Sequence, residues 1–429
     1  MRSSFACLAC FVALLIPTAC DRAAEGPSPP RAAGWPLTDM LASTPVEELG
    51  RELYFDVTLS RNGNQSCASC HDPAFGFTGP NTAVNAAGAV YAGTFPQRFG
   101  NRKPPAASYA TYAPALHFDD AEELWIGGNF WDGRATGEEL GNPAADQAIG
   151  PLLNPVEQAL PDRSCVIYRV RESRYVVMWY ATWGHEIADV SFPDDMSEQC
   201  RKDADDFGPT FSPRDQEIMD RAFGQVGLSI AAFEASPEVN AFSSRYDAWK
   251  AGADVFTPEE EQGFELFTGD RALCAECHIA DLADPHDLFT DFTFDNLGVP
   301  VNPENPVYEV DSAFVDLGLG GFLGDPAEHG KQKVPTLRNV DKKPSADVVK
   351  AFAHNGYFKS LEQIVHFYNT RDVKPECPGS YTAAEAMEAG CWPAAEVMAN
   401  VNTDELGNLG LTAEEEAAIV AFMRTLSDE

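Results

Sequence analysis

"CASCH", residues 67–71, decides how the chain is read. Two cysteines two residues apart, followed at once by a histidine, suit three chemistries: haem attachment, a zinc site or a redox dithiol. Zinc takes four ligands from neighbouring Cys and His, and no matching second pair lies close by. A thioredoxin-like dithiol has no need of the histidine and sits in a βαβ pattern, which the flanking sequence lacks. Haem attachment uses every residue: Cys67 and Cys70 bond the two vinyl groups, and His71 comes under the iron as axial ligand. "CAECH", residues 274–278, repeats the arrangement with Cys274, Cys277 and His278. Two copies predict two covalently bound c-type haems, with His71 and His278 as proximal ligands.

The repetition extends outward. "PVEELGRELYFD" (45–56) leads to the first motif and "FTPEEEQGFELFTGDRAL" (256–273) to the second. Each opens on a capping signal, Thr44 in the first and Thr257 with Glu260 in the second, followed by an amphipathic run. Near the C-terminus, "LTAEEEAAIVAFMRTL" carries a capping box at Thr412 and Glu415. Ile419, Val420, Phe422, Met423 and Leu426 give it an apolar face. Residues 72–120 and 281–335 are rich in Gly, Pro, Asn and Asp and show no sustained period of two. Long loops in a compact domain point to function or an embedded ligand. The expected fold is mostly α, with two cytochrome c-like domains, each holding one covalently attached haem, and long irregular loops. The domains are placed at 45–245 and 246–429, divided after the helical stretch "RDQEIMDRAFGQVGLSIAAFEAS".

The chain has 429 residues, 44% of them hydrophobic, enough for two or three packed domains. Against 30 basic residues stand 66 acidic ones, a net charge of -36. That balance excludes nucleic acid as a partner and favours a basic protein. "MRSSFACLACFVALLIPTAC", residues 1–20, has the pattern of a secretion signal. Cys20 is a candidate for lipid anchoring, with simple cleavage as the alternative, and residues 21–44 read as a Pro-rich tether. The expected location is the periplasm, with the membrane reached only through an anchor at Cys20. Four of the eleven cysteines, Cys165, Cys200, Cys377 and Cys391, remain outside signal and motifs. Export predicts disulfides among them, and proximity favours Cys165–Cys200 and Cys377–Cys391 out of three pairings.

"LGRELYFDVTLSRNGNQSCASCHDPAFGFTG", "FWDGRA", "QAIGPLLNPVE", "KVPTLRNV" and "HNGYFKSLEQIVHFY" occur in that order. Together they resemble the bacterial di-haem cytochrome c peroxidase superfamily, which includes MauG, from about residue 45 to the C-terminus, more weakly across residues 160–230. The resemblance implies that Trp131 of "FWDGRA" stands between the haems as an electron relay. It gives Glu157 of "NPVE" the distal acid–base role, since peroxide needs one group to take a proton from one oxygen and return it to the other. It puts Gln147 in the same pocket as a hydrogen-bond partner of the bound oxygen species, although this chain carries an insertion before it.

Three departures from the pattern matter. Typical peroxidases of the superfamily carry a histidine that caps the N-terminal haem and leaves on activation. "YAGTFPQRFGNRKPP" (91–105) has none, and Phe95 aligns there. The first haem is therefore expected to be open without reductive activation. At the end of "SLEQIVHFY" those peroxidases place a methionine on the second haem; this chain has Tyr368, the MauG pattern. A phenolate lowers the potential, whereas a thioether raises it. His366, two residues away, points elsewhere on a helix. Finally, the inter-haem cation of the superfamily uses an Asn where this chain has Lys103, and a Thr and a Pro that align with Val349 and Ala351. Ca²⁺ and the Lys103 ammonium are both candidates for that site. His354 matches a residue near the second haem and reads as structural.

The function expected from these residues is a haem peroxidase. It would reduce hydrogen peroxide at the open N-terminal haem and pass oxidising equivalents through Trp131 to a haem held by His278 and Tyr368. A protein or small-molecule donor, in the manner of MauG, would be oxidised in turn. The alternatives are a conventional cytochrome c peroxidase fed by a small cytochrome, and a non-enzymatic di-haem electron carrier or sensor. Family members are often dimers, so a homodimer is also implied.

Overall fold

The computed structural model describes residues 43–429, which belong to one compact unit. The predicted signal of residues 1–20 with Cys20, and all but the last two residues of the 21–44 tether, lie outside the described residues. The architecture is mostly helical, as expected. Extended structure amounts to two antiparallel pairs, His117–Asp119 with Leu124–Ile126 and Phe294–Asp295 with Gln332–Lys333. Among the described residues no helix is long and apolar enough to cross a membrane.

The repeated sequence phrases fold as repeated helix pairs. Pro45–Tyr54 crosses Pro213–Glu234, and Pro258–Thr268 crosses Ala413–Arg424. Capping boxes at Thr44 with Glu47, Thr257 with Glu260 and Thr412 with Glu415 satisfy the first free N–H groups of three of these helices. The fourth starts at Ser212, whose side chain accepts from Asp215 N–H. One glycine makes each crossing close. A Cβ on Gly50 would stand 1.8 Å from the Ser229 carbonyl oxygen, and one on Gly263 would stand 1.9 Å from that of Ala418. Four residues beyond each carbonyl, Phe233 and Phe422 pack against the same glycines.

The apolar core follows this division. One cluster runs from Leu49 to Val239 and includes Tyr54, Val226, Ile230 and Phe233. A second runs from Tyr246 to Leu426 around Phe267, Phe289 and Phe422. A third, around Phe358, Phe367 and Trp392, packs under the Leu361–Thr370 helix. Polar contacts tie early and late segments together. Arg102 forks onto Asp316 at 2.6 and 2.7 Å while reaching Asp132 at 2.6 Å. Tyr109 donates to Asp428 at 2.7 Å. The sulfurs of Cys165 and Cys200 lie 2.04 Å apart, and those of Cys377 and Cys391 lie 1.96 Å apart, the two pairings that proximity favours.

Candidate active site

Both motifs fold in the same way. A short helical turn begins at each first cysteine, and the histidine N–H closes it, His71 onto Cys67 and His278 onto Cys274, each at 2.9 Å. The four motif cysteines are free of disulfides. Burial pushes the Cys70 and Cys274 thiols up to about 12. Protonated thiols are poor nucleophiles, which weighs against a redox dithiol. Each imidazole is aimed by a backbone carbonyl: His71 Nδ1 lies 3.1 Å from Phe77 O and His278 Nδ1 2.9 Å from Phe289 O. A carbonyl only accepts, so Nδ1 carries the proton and Nε2 keeps a bare lone pair, the arrangement of a metal-binding histidine. Burial lowers both imidazoles to about 4, so they are neutral.

His71, Cys67 and Cys70 line a first cavity with Glu157, Gln147 and Arg134. Gln147 is presented by the Pro143–Leu153 helix, started by an Asn142 cap, and Glu157 by the turn that follows it. Asn154 Nδ2 donates to Glu157 Oε1 at 2.9 Å. Burial raises the Glu157 carboxyl above its ordinary range, opposed by the Arg134 charge and the Asn154 hydrogen bond. Arg134 is itself fixed, 2.8 and 2.9 Å from the Asp132 carboxylate and 3.8 Å above the Phe130 ring. Among the described residues, His71 is the only histidine on this wall, and no methionine lines it. Its two phenols are engaged elsewhere, Tyr54 donating to His71 O at 2.8 Å and Tyr91 to Asn85 at 3.0 Å. Phe95, the residue aligned with the missing histidine, is not on this wall; its ring centre lies 5.0 Å from the Arg61 guanidinium and 4.3 Å from that of Arg98.

A second, larger cavity is lined by His278, Cys274 and Cys277 together with Tyr368, from the Leu361–Thr370 helix. The Tyr368 hydroxyl makes no hydrogen bond among the described residues. Burial holds the phenol well above its ordinary value, so ionisation there calls for a bound cation. His366 turns away, its Nδ1 3.0 Å from the Glu416 carboxylate and its Nε2 2.7 Å from Lys374 Nζ. His354 and Met423 also reach this wall. Asp295 and Glu405 lie near Cys277, both accepting from Asn402 Nδ2, at 2.6 and 2.7 Å.

Trp131 and Lys103 line both cavities. The indole is nearly buried and donates to Lys103 O at 2.9 Å. His354 stands edge-on to it at 6.4 Å and accepts, through its carbonyl, from Lys103 N–H at 2.8 Å.

The cavities fit two haems. Their atom-free spaces, partly open to solvent, are about 1030 and 1760 Å³. Several buried polar atoms on the walls lack protein partners: Gln65 Oε1 and Gln158 Oε1 in the first, and His354 Nε2, Arg338 Nη2 and the Gln332 amide in the second. Such orphans are rare in folded proteins unless a ligand or water meets them. Two thiols and one aimed imidazole in each cavity suit an attached haem, and Arg338 Nη2 and Gln332 Nε2 in the second are spare donors that its acidic side chains would use.

The family model for di-haem cytochrome c peroxidase matches residues 44–255. The methylamine utilization protein MauG of Paracoccus denitrificans is 36% identical over 401 residues, covering 92% of this chain and 90% of that one. The chain belongs to the di-haem cytochrome c peroxidase family. The cytochrome c551 peroxidase of Nitrosomonas europaea is 25% identical, over 78% of this chain and 77% of that one. The crystal structure of the diheme peroxidase BthA from Burkholderia thailandensis superposes with a TM-score of 0.68 at 27% identity, covering 91% of this chain and 87% of that one. Membership makes the protein a haem oxidoreductase and implies two c-type haems, hydrogen peroxide and a redox partner.

As a di-haem peroxidase the chain brings Glu157, Gln147 and His71 to one cavity, His278 and Tyr368 to the other, and Trp131 to the wall between. Arg134 was overlooked in the sequence, although it lies inside "FWDGRA". Glu234 also lines the first cavity, where burial raises it to about 8. Its only signal was an acid ending the apolar run "SIAAF". The orphaned Gln332 lies on a two-residue strand and Arg338 in the loop beyond it, both too short to show a periodicity.

Proposed function

We propose that this di-haem peroxidase is a MauG-like oxidant. Peroxide enters the cavity of His71, and the oxidising equivalents are held jointly with the cavity of His278 and Tyr368 until a protein or small-molecule donor supplies electrons. One asymmetry carries this reading: among the described residues the first cavity holds no histidine besides His71 and no methionine, and its two phenols are hydrogen-bonded elsewhere, whereas the second holds Tyr368, whose hydroxyl has no hydrogen-bond partner. When bound, the haems supply cleavage of the peroxide bond and storage of the two oxidising equivalents. Cys67 and Cys70, and Cys274 and Cys277, would hold them.

The remaining roles belong to the chain's own side chains. Glu157 takes the proton from one peroxide oxygen and returns it to the other, which leaves as water. Burial raises its pKa, which makes the carboxylate a stronger base for the first of these transfers. Gln147 hydrogen-bonds the substrate and orients it, and Arg134 limits the rise in the Glu157 pKa. Trp131 joins the two cavities through a π system that can lose and regain an electron. Tyr368 would help hold the haem of the second cavity, where a phenolate would favour the oxidised state.

The test is an electron paramagnetic resonance spectrum of the ferric protein before and after one equivalent of peroxide. One high-spin and one low-spin centre, both altered at once by peroxide, is the expected result. A need for prior one-electron reduction, or two low-spin centres at the start, overturns it.

A second reading has its own support. The net charge of -36 suits a basic cytochrome donor, as in a conventional cytochrome c peroxidase. Turnover with such a cytochrome that saturates at low salt and fades at high salt would favour it. The N-terminal pattern and the two cysteine pairs support a periplasmic location for either.

A further inference from the structure

Among the described residues, only Lys103 and Trp131 line both cavities. The Lys103 ammonium has three N–H donors. Two are taken up by the Thr78 hydroxyl at 3.1 Å and the Pro104 carbonyl at 3.0 Å. The third has no partner among the described residues. Burial lowers the Lys103 pKa to about 8, with no carboxylate beside it to offset the shift. A second buried ammonium, Lys350, shows what saturation looks like: three carbonyls, of Phe75, Asn339 and Lys342, each accept from it at 3.0 Å. A buried charge left short of partners is costly. Lys103 keeps one N–H free on the wall shared by two cavities built for a cofactor that carries carboxylates.

We propose that Lys103 is a built-in cation serving both cavities, its free N–H pairing with a carboxylate side chain of bound haem and its charge acting on both sites together. The proposal rests on reading the two cavities as haem sites. It removes the need for Ca²⁺ between them. The Val349 carbonyl, one of the groups a cation there would use, already accepts from Asn85 Nδ2 at 2.9 Å.

The test uses the holoprotein and reads metal content and midpoint potentials. Elemental analysis after dialysis against EGTA should show two irons and no stoichiometric calcium, with spectra and both potentials unchanged by the chelator. A positive charge favours the less positive ferrous form, so K103M should lower both potentials. A tenfold shift of each equilibrium toward ferric, 59 mV for one electron, is the expected scale, and K103R should restore most of it. One calcium per chain whose removal moves the potentials overturns the proposal. So does a K103M variant in which neither potential, or only one, moves. Should K103M fail to fold, the calcium analysis of the unaltered protein still decides. These readouts are separate from peroxide reactivity, so a protein inert to peroxide would sink the proposed function without deciding this one.

Discussion

Trp131 donates its indole N–H to the Lys103 carbonyl at 2.9 Å, while its own carbonyl accepts from Lys333 N–H at 2.8 Å. The ring is thus fixed in the wall between the cavities from two sides. Trp131→Phe keeps an aromatic ring but leaves the Lys103 carbonyl short of a donor. We expect a stability loss of about 1 kcal/mol. Arrival of oxidising equivalents at the second site should slow by roughly tenfold or more, a barrier rise of about 1.4 kcal/mol. Rapid-mixing spectroscopy should show the initial peroxide reaction within a few-fold of the parent. Unchanged transfer would remove Trp131 from the path.

Glu157 should set the pH dependence of that initial reaction. Taking a proton from peroxide needs the carboxylate form, so the rate should rise with pH through an inflection above the ordinary carboxylate range, the direction of its shift. Glu157→Gln should abolish the inflection and slow the reaction by about 10²–10⁴-fold, leaving the ferric spectrum alone. Arg134→Met removes a charge that opposes the rise, so the inflection should move to higher pH. An unshifted inflection in Arg134→Met would separate that guanidinium from the acid–base group.

Tyr368 should control the potential of the second site alone. Tyr368→Phe deletes the oxygen, and Tyr368→Met substitutes a thioether. Both should raise that potential, the methionine variant with a low-spin spectrum. The spectrum of the His71 site should not change. If Tyr368→Phe leaves both sets of signals as they were, His354 or Met423 on the same wall becomes the group to test.

The cysteine pairs should differ in worth. Cys165 and Cys200 close a separation of 35 residues, Cys377 and Cys391 one of 14. Loop entropy alone gives about 4 kcal/mol for the first and about 3 for the second. Chemical denaturation of the double-serine variants should rank them in that order, and the reverse order would mean that local strain or residual unfolded structure outweighs loop length.

Gly263→Ala tests the helix crossing. Alanine favours a helix over glycine by about 1 kcal/mol, but its Cβ would meet the Ala418 carbonyl oxygen at 1.9 Å. Displacing packed backbone costs about 1–3 kcal/mol or more, so the clash should win and the melting temperature should fall. Gly50→Ala should behave alike. A stabilised variant would show that the crossing has room to slide.

Much of this was legible in the sequence because it was local. Haem attachment needs five consecutive residues, a capping box four, and an amphipathic helix a dozen. Two of each, in register, announced two similar halves. Glu157, Gln147 and Tyr368 came from a resemblance rather than from physics, since an isolated Glu or Tyr carries no mark of the cavity it faces. Phe95 aligns with the missing histidine, and the fold sets its ring beside the Arg61 and Arg98 guanidinium groups, contacts that no local pattern announces. The place of Lys103 between the cavities likewise came from the resemblance and not from local pattern. It lies in an irregular stretch, and its second cavity is built by residues some two hundred positions later.

That distance has a practical outcome for anyone dissecting the molecule. Trp131 and Lys103 come from the first half, yet they form part of the wall around His278, and the Arg102 fork is anchored on Asp316 in the second. Expressing either half alone would strip one flank from a porphyrin pocket and leave charged groups facing water, so neither fragment should mature into a faithful single-haem version of the whole.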